Sequence, residues 1–161
     1  MANVTTIDAI RQGIATILAD FFPGAMNYDS PLQQKAVLPG FFILVLPCSF
    51  TAGVGGLYTR KLFWDVSYLI NKNQTDAQTQ LTAVQETFDL VFQHIPVIDP
   101  TDGSTSVRNT FDRKAKLDLM QAILHYTFYT QELVAIDDGT VPTPMPATFT
   151  LILEDKDGEQ A

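Results

Sequence analysis

Residues 38–70 read LPGFFILVLPCSFTAGVGGLYTRKLFWDVSYLI. No other stretch constrains the fold as much, because it starts almost wholly apolar, passes through glycines and ends in strict alternation. A membrane-spanning helix needs about 20 consecutive apolar residues. FFILVL is apolar for only six residues, 41–46, before Pro47. A run this short, rich in Phe, Ile and Val and bounded by Gly40 and Pro47, predicts a strand buried on both faces. Residues 57–70 predict a second strand, half buried. Its Leu62, Trp64, Val66, Tyr68 and Ile70 fall on one face, and Lys61, Phe63, Asp65, Ser67 and Leu69 on the other. SFTAGVGG between the two predicts a long, flexible hairpin loop, with glycines supplying unusual backbone angles.

The glycines do not make a nucleotide site. A phosphate loop needs G-x-x-x-x-G-K-[ST] leading into a helix. GVGGLYTRK has no Gly-Lys-Ser/Thr, and a strand follows it. The dinucleotide pattern G-x-G-x-x-G fails as well, because Tyr58 stands where the third glycine belongs.

Two amphipathic helices flank this pair. Ile7, Ile10, Ile14, Ile17, Leu18 and Phe21 follow 3.6-residue spacing, with Thr5 as cap, Asp8 in the first turn and Pro23-Gly24 as stop. Leu81, Val84, Phe88, Val91 and Phe92 make the second stripe, with Thr75 as cap and Pro96 as its end. Residues 22–40 read as a connector with a short strand, and PVID as a short extended piece. STSVRNTFDRKAKL, from Ser104 to Leu117, reads as a solvated hairpin or bulge. Residues 117–123 fit helix or strand equally. From Leu124 the aromatic and β-branched content predicts a strand. DDGTVPTPMP is a proline-rich linker, ATFTLILE reads as a last strand, and EDKDGEQA as a frayed end. The expectation is a single α+β domain over residues 1–135, with a C-terminal extension over 136–161. Its sheet is mostly antiparallel or mixed, with both helices packed on one face.

Composition narrows the function classes. The 161 residues are 46% apolar and 17% charged, which is a globular balance. Eighteen acids against ten bases leave a net charge of −8, which disfavours binding to free nucleic acid. Cys48 is the single cysteine, expected as a buried, inert thiol. The N-terminal segment is interrupted by Asp8, Arg11, Gln12 and Asp20 and does not read as a signal peptide, so cytoplasmic synthesis is expected.

No catalytic or metal constellation stands out. His94 and His125 are the only histidines, and neither has a second ligand at metal spacing. There is no G-x-S-x-G elbow. The chain is therefore expected to be no enzyme and to need no cofactor. Arg108, Arg113, Lys114 and Lys116 gather four of the ten basic residues in one small window, a contact patch for an acidic partner.

PGFFILVLP followed by GGLYTRKLFWDVSYL resembles the phage tail terminator family of contractile and related tails, from Gram-positive hosts and their prophages. That family shows an aromatic-rich buried strand, a loop, then Gly-x-Tyr-x-Arg followed by an aromatic, an Asp, an aliphatic and a Tyr. Here these are Gly56, Tyr58, Arg60, Phe63, Asp65, Val66 and Tyr68. The resemblance spans roughly residues 5–130 and stops before Pro142. It implies a ring, commonly a hexamer, on the head-proximal end of the tail tube at the neck of the virion. Such a ring ends tube polymerisation and offers a docking face to head-completion or connector proteins, with the sheath as a further neighbour. DNA passes through the lumen only as cargo, and an excess of acid suits that passage. In that role Tyr58, Arg60, Lys61, Arg108, Arg113, Lys114 and Lys116, with Asp137 and Asp138, are interface residues. The basic window would face the acids of a neighbouring copy, Glu154 and Asp155 included. Alternative readings are a head–tail connector, the tube protein itself, or a host small-molecule or peptide-binding domain.

Overall fold

The computed structural model describes residues 6–28, 37–99 and 102–135. Two helices and six strands follow in chain order: α1 Thr6–Phe21, β1 Met26–Tyr28, β2 Gly40–Ala52, β3 Leu57–Leu69, α2 Ala77–Val91, β4 His94–Ile98, β5 Thr105–Asp118 and β6 Ile123–Ala135. The strands form one mixed sheet in the order β1-β2-β3-β6-β5-β4, with only β1 and β2 parallel. This is the expected α+β domain.

The alternating strand is the organising element. Leu62, Trp64 and Val66 are fully buried, with Tyr68 and Ile70 nearly so. β3 pairs with β6 without interruption from Leu57↔Ala135 to Leu69↔Ile123. That register brings Leu124, Tyr126, Phe128 and Thr130 onto the same buried face. The Trp64 indole donates to Thr130 Oγ1 at 3.1 Å, which satisfies a buried donor. Helix α1 lays Ile10, Ile14 and Leu18 on this face and α2 adds Leu81, Val84 and Phe88. Helix α1 touches β4 near one end of the sheet and β2 near the other, so the sheet curls around its helices.

Several local expectations change. β2 does not stop at Pro47. It continues to Ala52 through an irregularity between Leu46 and Ser49, where the missing proline N–H falls at a break in the ladder. The hairpin turn is therefore only Gly53–Gly56, closed by Gly53 N–H donating to Leu57 O at 2.7 Å, with positive φ at Gly55 and Gly56. β2 is buried on both faces only at Phe41 and Phe42, and Leu44 is 46% exposed. The reason is that no helix among the described residues covers the outer face of the sheet there. Cys48 is exposed, not buried. Helix α2 begins at Ala77 with Asp76 as its N-cap residue and ends at Val91, and Pro96 lies inside β4. The window 105–118 is one long strand with a bulge between Phe111 and Lys114. The proposed cap Thr5 and the last-strand segment ATFTLILE lie outside the described residues.

Pro96 has a reason to sit where it does. Asp99 N–H donates to Ser104 O and Thr110 N–H to Gln93 O, so the odd positions of β4 bond to β5. Pro96 belongs to the other set, which points away from the sheet, where a missing N–H costs nothing. Helix α1 shields that edge at Gly13, where a Cβ would lie 2.0 Å from Pro96 O and 2.9 Å from Ile95 Cγ2. Gly13→Ala is expected to destabilise the protein by about 2 kcal/mol through overpacking against backbone. Gly24→Ala, with no atom within 4 Å of its Cβ position, serves as the near-neutral control in the same urea titration.

Candidate assembly surface

β1 pairs with β2 only at Gly40, Phe41 and Phe42. β5 pairs with β6 only from Thr130 to Ile123. Beyond these limits the distal parts of β2, β3 and β6 have only one another as ladder partners among the described residues. They form a three-stranded arm whose two edges belong to different strands. The arm exposes Phe50, Leu57, Val54 (91%) and Leu133 (70%). Tyr58 stacks on Phe50 with ring centroids 5.0 Å apart. Exposed apolar groups gathered at one end of a molecule mark a contact surface.

At the base of this arm, Arg60 Nη2 meets Glu132 Oε2 at 2.6 Å, directly across the β3–β6 ladder. Arg108 Nε approaches the other carboxylate oxygen at 3.6 Å, too far for a hydrogen bond. Its Nη1 donates to Ser106 Oγ at 3.0 Å. Two arginines thus share one carboxylate. Arg60 Nε, Arg108 Nε and Glu132 Oε1 are all buried with no hydrogen-bond partner among the described residues. The cluster borders a cleft of about 440 Å³ between Val107–Asn109 of β5 and Gln131–Leu133 of β6.

The remaining basic residues divide between the two faces. Asp112 adopts φ 52° at the bulge in β5. Beyond it Arg113 turns toward α2 and donates to Asp89 O at 2.6 Å. The Asp89 carboxylate accepts from Tyr126 OH at 2.6 Å. Burial, then the Asp89 hydrogen bond and charge, raise the Tyr126 pKa well above its ordinary value, although Arg113 opposes this. Lys114 and Lys116 instead occupy the open face of the sheet, both exposed, with Lys114 Nζ 3.4 Å from Asp112. Lys61 lies there too, its ammonium 4.9 Å from the centroid of Tyr129. Tyr129 stacks on Phe111 and tilts against Phe63, so an aromatic row crosses three strands. Asp137 and Asp138 lie outside the described residues.

Two groups escaped the sequence reading because neither has a local motif. Glu132 is one. The other is His125, whose Nδ1 lies 3.0 Å from Ser67 Oγ and 3.3 Å from Asp65 Oδ2. A nucleophilic triad needs serine and carboxylate on opposite ring nitrogens. Here both reach the same nitrogen, and Ser67 is fully buried. The three make a cross-strand polar cluster. His94 Nδ1 lies 2.9 Å from Asn109 Oδ1 on the neighbouring strand. Among the described residues, no group of three or more His, Cys, Asp or Glu is placed to hold a metal ion. No described helix is long and apolar enough to cross a membrane. A groove of about 440 Å³ beside α1 and β4 is lined by small and apolar groups with Asp8 as its one charge.

Glu132→Gln removes the shared anion and leaves two guanidinium groups facing each other. An expected loss of about 1–2 kcal/mol, discounted from fully buried pairs because both arginines keep some solvent, should appear in urea unfolding. Adding Arg108→Gln should recover part of that loss, a non-additivity measurable as a double-mutant cycle.

A family model described as phage tail terminator protein matches residues 9–140. That span covers α1 from Ala9 onward, all of α2, the six described strands and the Arg60–Glu132–Arg108 cluster. No curated protein matches the chain. With most of its length under one family model, this chain belongs to the phage tail terminator protein family.

Proposed function

We propose that the protein assembles as a ring, a hexamer in the arrangement its resemblance implies, on the head-proximal end of the tail tube. The ring ends tube polymerisation and presents a docking face to head-completion or connector proteins. Tube protein and, in a contractile tail, sheath protein are its other neighbours, and DNA crosses its lumen as cargo. Assembly takes place in the host cytoplasm and the product resides at the neck of the virion, in a phage or prophage of a Gram-positive host. The observation that carries this reading is the family match over residues 9–140.

The geometry supports it. A closed ring needs one patch to meet a different patch on the next copy. The three-stranded arm, with its two unlike edges, and the basic open face bearing Lys61, Lys114 and Lys116 are unlike surfaces of that kind. The acids Asp137 and Asp138 are proposed as counterparts of the basic face on the adjoining copy. Tyr58, Arg60 and Arg108 belong to the arm contact. Arg113, held by α2, contributes through the fold and not by direct contact.

Adding the purified protein to polymerising tube subunits should shorten the tubes in proportion to its concentration, as measured by electron microscopy. Longer tubes would identify a tube protein instead, and unchanged lengths a connector. Charge reversal at Lys114 and Lys116 together should weaken self-association at least tenfold with little change in melting temperature. A ring that survives the double reversal would remove the open face from the interface.

A further inference from the structure

We infer that the C-terminal segment Ala147–Glu154 of one copy adds as a strand to the free edge of β6 in the next copy. It would seat in the cleft beside Arg60, Glu132 and Arg108. The inference deepens the ring reading and rests on it.

Four observations meet at this place. First, β6 keeps its partner β3 up to Ala135, but β5 leaves it above Thr130 and turns to pair with β4. Residues Gln131–Ala135 therefore present main-chain donors and acceptors along an edge with no partner strand among the described residues. Such an edge is a template for strand addition. Second, the cleft along that edge measures about 440 Å³ and exposes Val107 and Leu133, so it offers apolar contact beside the hydrogen bonds. Third, the polar groups at the cleft are incompletely paired. Two guanidinium groups share Glu132, and Arg60 Nε–H, Arg108 Nε–H and Glu132 Oε1 are buried with no hydrogen-bond partner among the described residues. An incoming strand, whose carbonyls accept and whose N–H groups donate, would complete that set.

Fourth, the chain itself carries a segment of matching chemistry. ATFTLILE alternates Phe149, Leu151 and Leu153 with Thr148, Thr150 and Ile152, which suits a pleated partner. DKDGEQA follows it with three acids against one lysine. The linker decides between the home copy and its neighbour. β6 ends at Ala135, at the edge of its own cleft. A return into that cleft needs a reversal of direction within residues 136–146. Pro142, Pro144 and Pro146 alternate through the linker and favour an extended, stiff course of roughly 3 Å per residue. A spacer of that composition would favour delivery of the segment to a neighbouring copy. A tail that enters a different surface on the next copy makes a heterologous contact, the kind that closes rings.

The test is a cysteine scan in the full-length protein. Cys48, which is exposed, is first changed to serine. Leu133→Cys is then combined with a second cysteine at each position from Thr148 to Leu153 in turn, and mild oxidation is applied with and without tube ends. The expected result is a ladder of cross-linked copies, several-fold stronger at every second position, since only alternate side chains of a strand share a face with residue 133. A disulfide confined to single chains would overturn the inference in favour of the home cleft. Equal cross-linking at all six positions would overturn it in favour of an unpaired tail. A ring seen by native mass measurement or at tube ends, with no cross-link at any position, would overturn the strand addition and leave the ring reading standing. Absence of both ring and cross-link would remove the two together.

Discussion

The pairing of β3 with β6 is the constraint on which the rest of the molecule depends. It runs unbroken from Leu57↔Ala135 to Leu69↔Ile123, and it joins segments that lie far apart in the chain. Because side chains alternate across a strand, a slip of one residue would turn every apolar group to the opposite face. Trp64, Val66, Tyr126 and Phe128 would then face outward, and Asp65, Ser67 and His125 would be driven into the core. The cost of such an inversion makes the register single-valued. Both helices, the Trp64–Thr130 hydrogen bond and the row of Phe88, Phe92 and Tyr126 rings are built on that register.

The same pairing explains why the contact chemistry gathers where it does. β3 and β6 are longer than the layer of helices that covers them, so their distal ends run past the core. Residues that would be intolerable inside, such as Arg60 and Glu132, are acceptable there because they face each other across the ladder. Arg108 joins them from β5 because that strand bends at its bulge and then follows β4. Membership of the tail terminator family implies association with other tail components, and the described surface offers an arm with exposed Phe50 and Val54, a cleft beside Arg108 and Glu132, and an open basic face with an aromatic row.

Legibility in the sequence followed the range of the forces involved. Helix α1 and the buried face of β3 could be read directly, because a period of 3.6 or 2 needs only a window of neighbours to be visible. The strand from Leu124 was legible from its aromatic and β-branched content, whereas 105–118 read as a hairpin or bulge and is one long bulged strand. Pro47 misled, since a proline that ends most strands here sits at a break in the ladder, and the break is a property of the β2–β3 pair. Pro96 misled likewise, because its tolerance depends on lying at an outward position of an edge strand. Cys48 followed an apolar run but is exposed, because among the described residues nothing packs over that part of β2. The basic window 108–116 looked like one patch. The bulge at Asp112 sends Arg113 toward Asp89 and leaves Lys114 and Lys116 on the opposite face.

By itself, the order of residues determined the two helices, the strands at 41–46, 57–69 and from Leu124, the apolar face of β3 and, through the FFILVLP and GGLYTRKLFWDVSYL stretches, the family. Tertiary structure alone decided which charges meet. Glu132 lies 72 positions from Arg60, and His125 lies 58 from Ser67. No periodicity in a single chain reports such a pairing, because the hydrogen-bonded ladder that aligns the two strands exists only after both have found the same core.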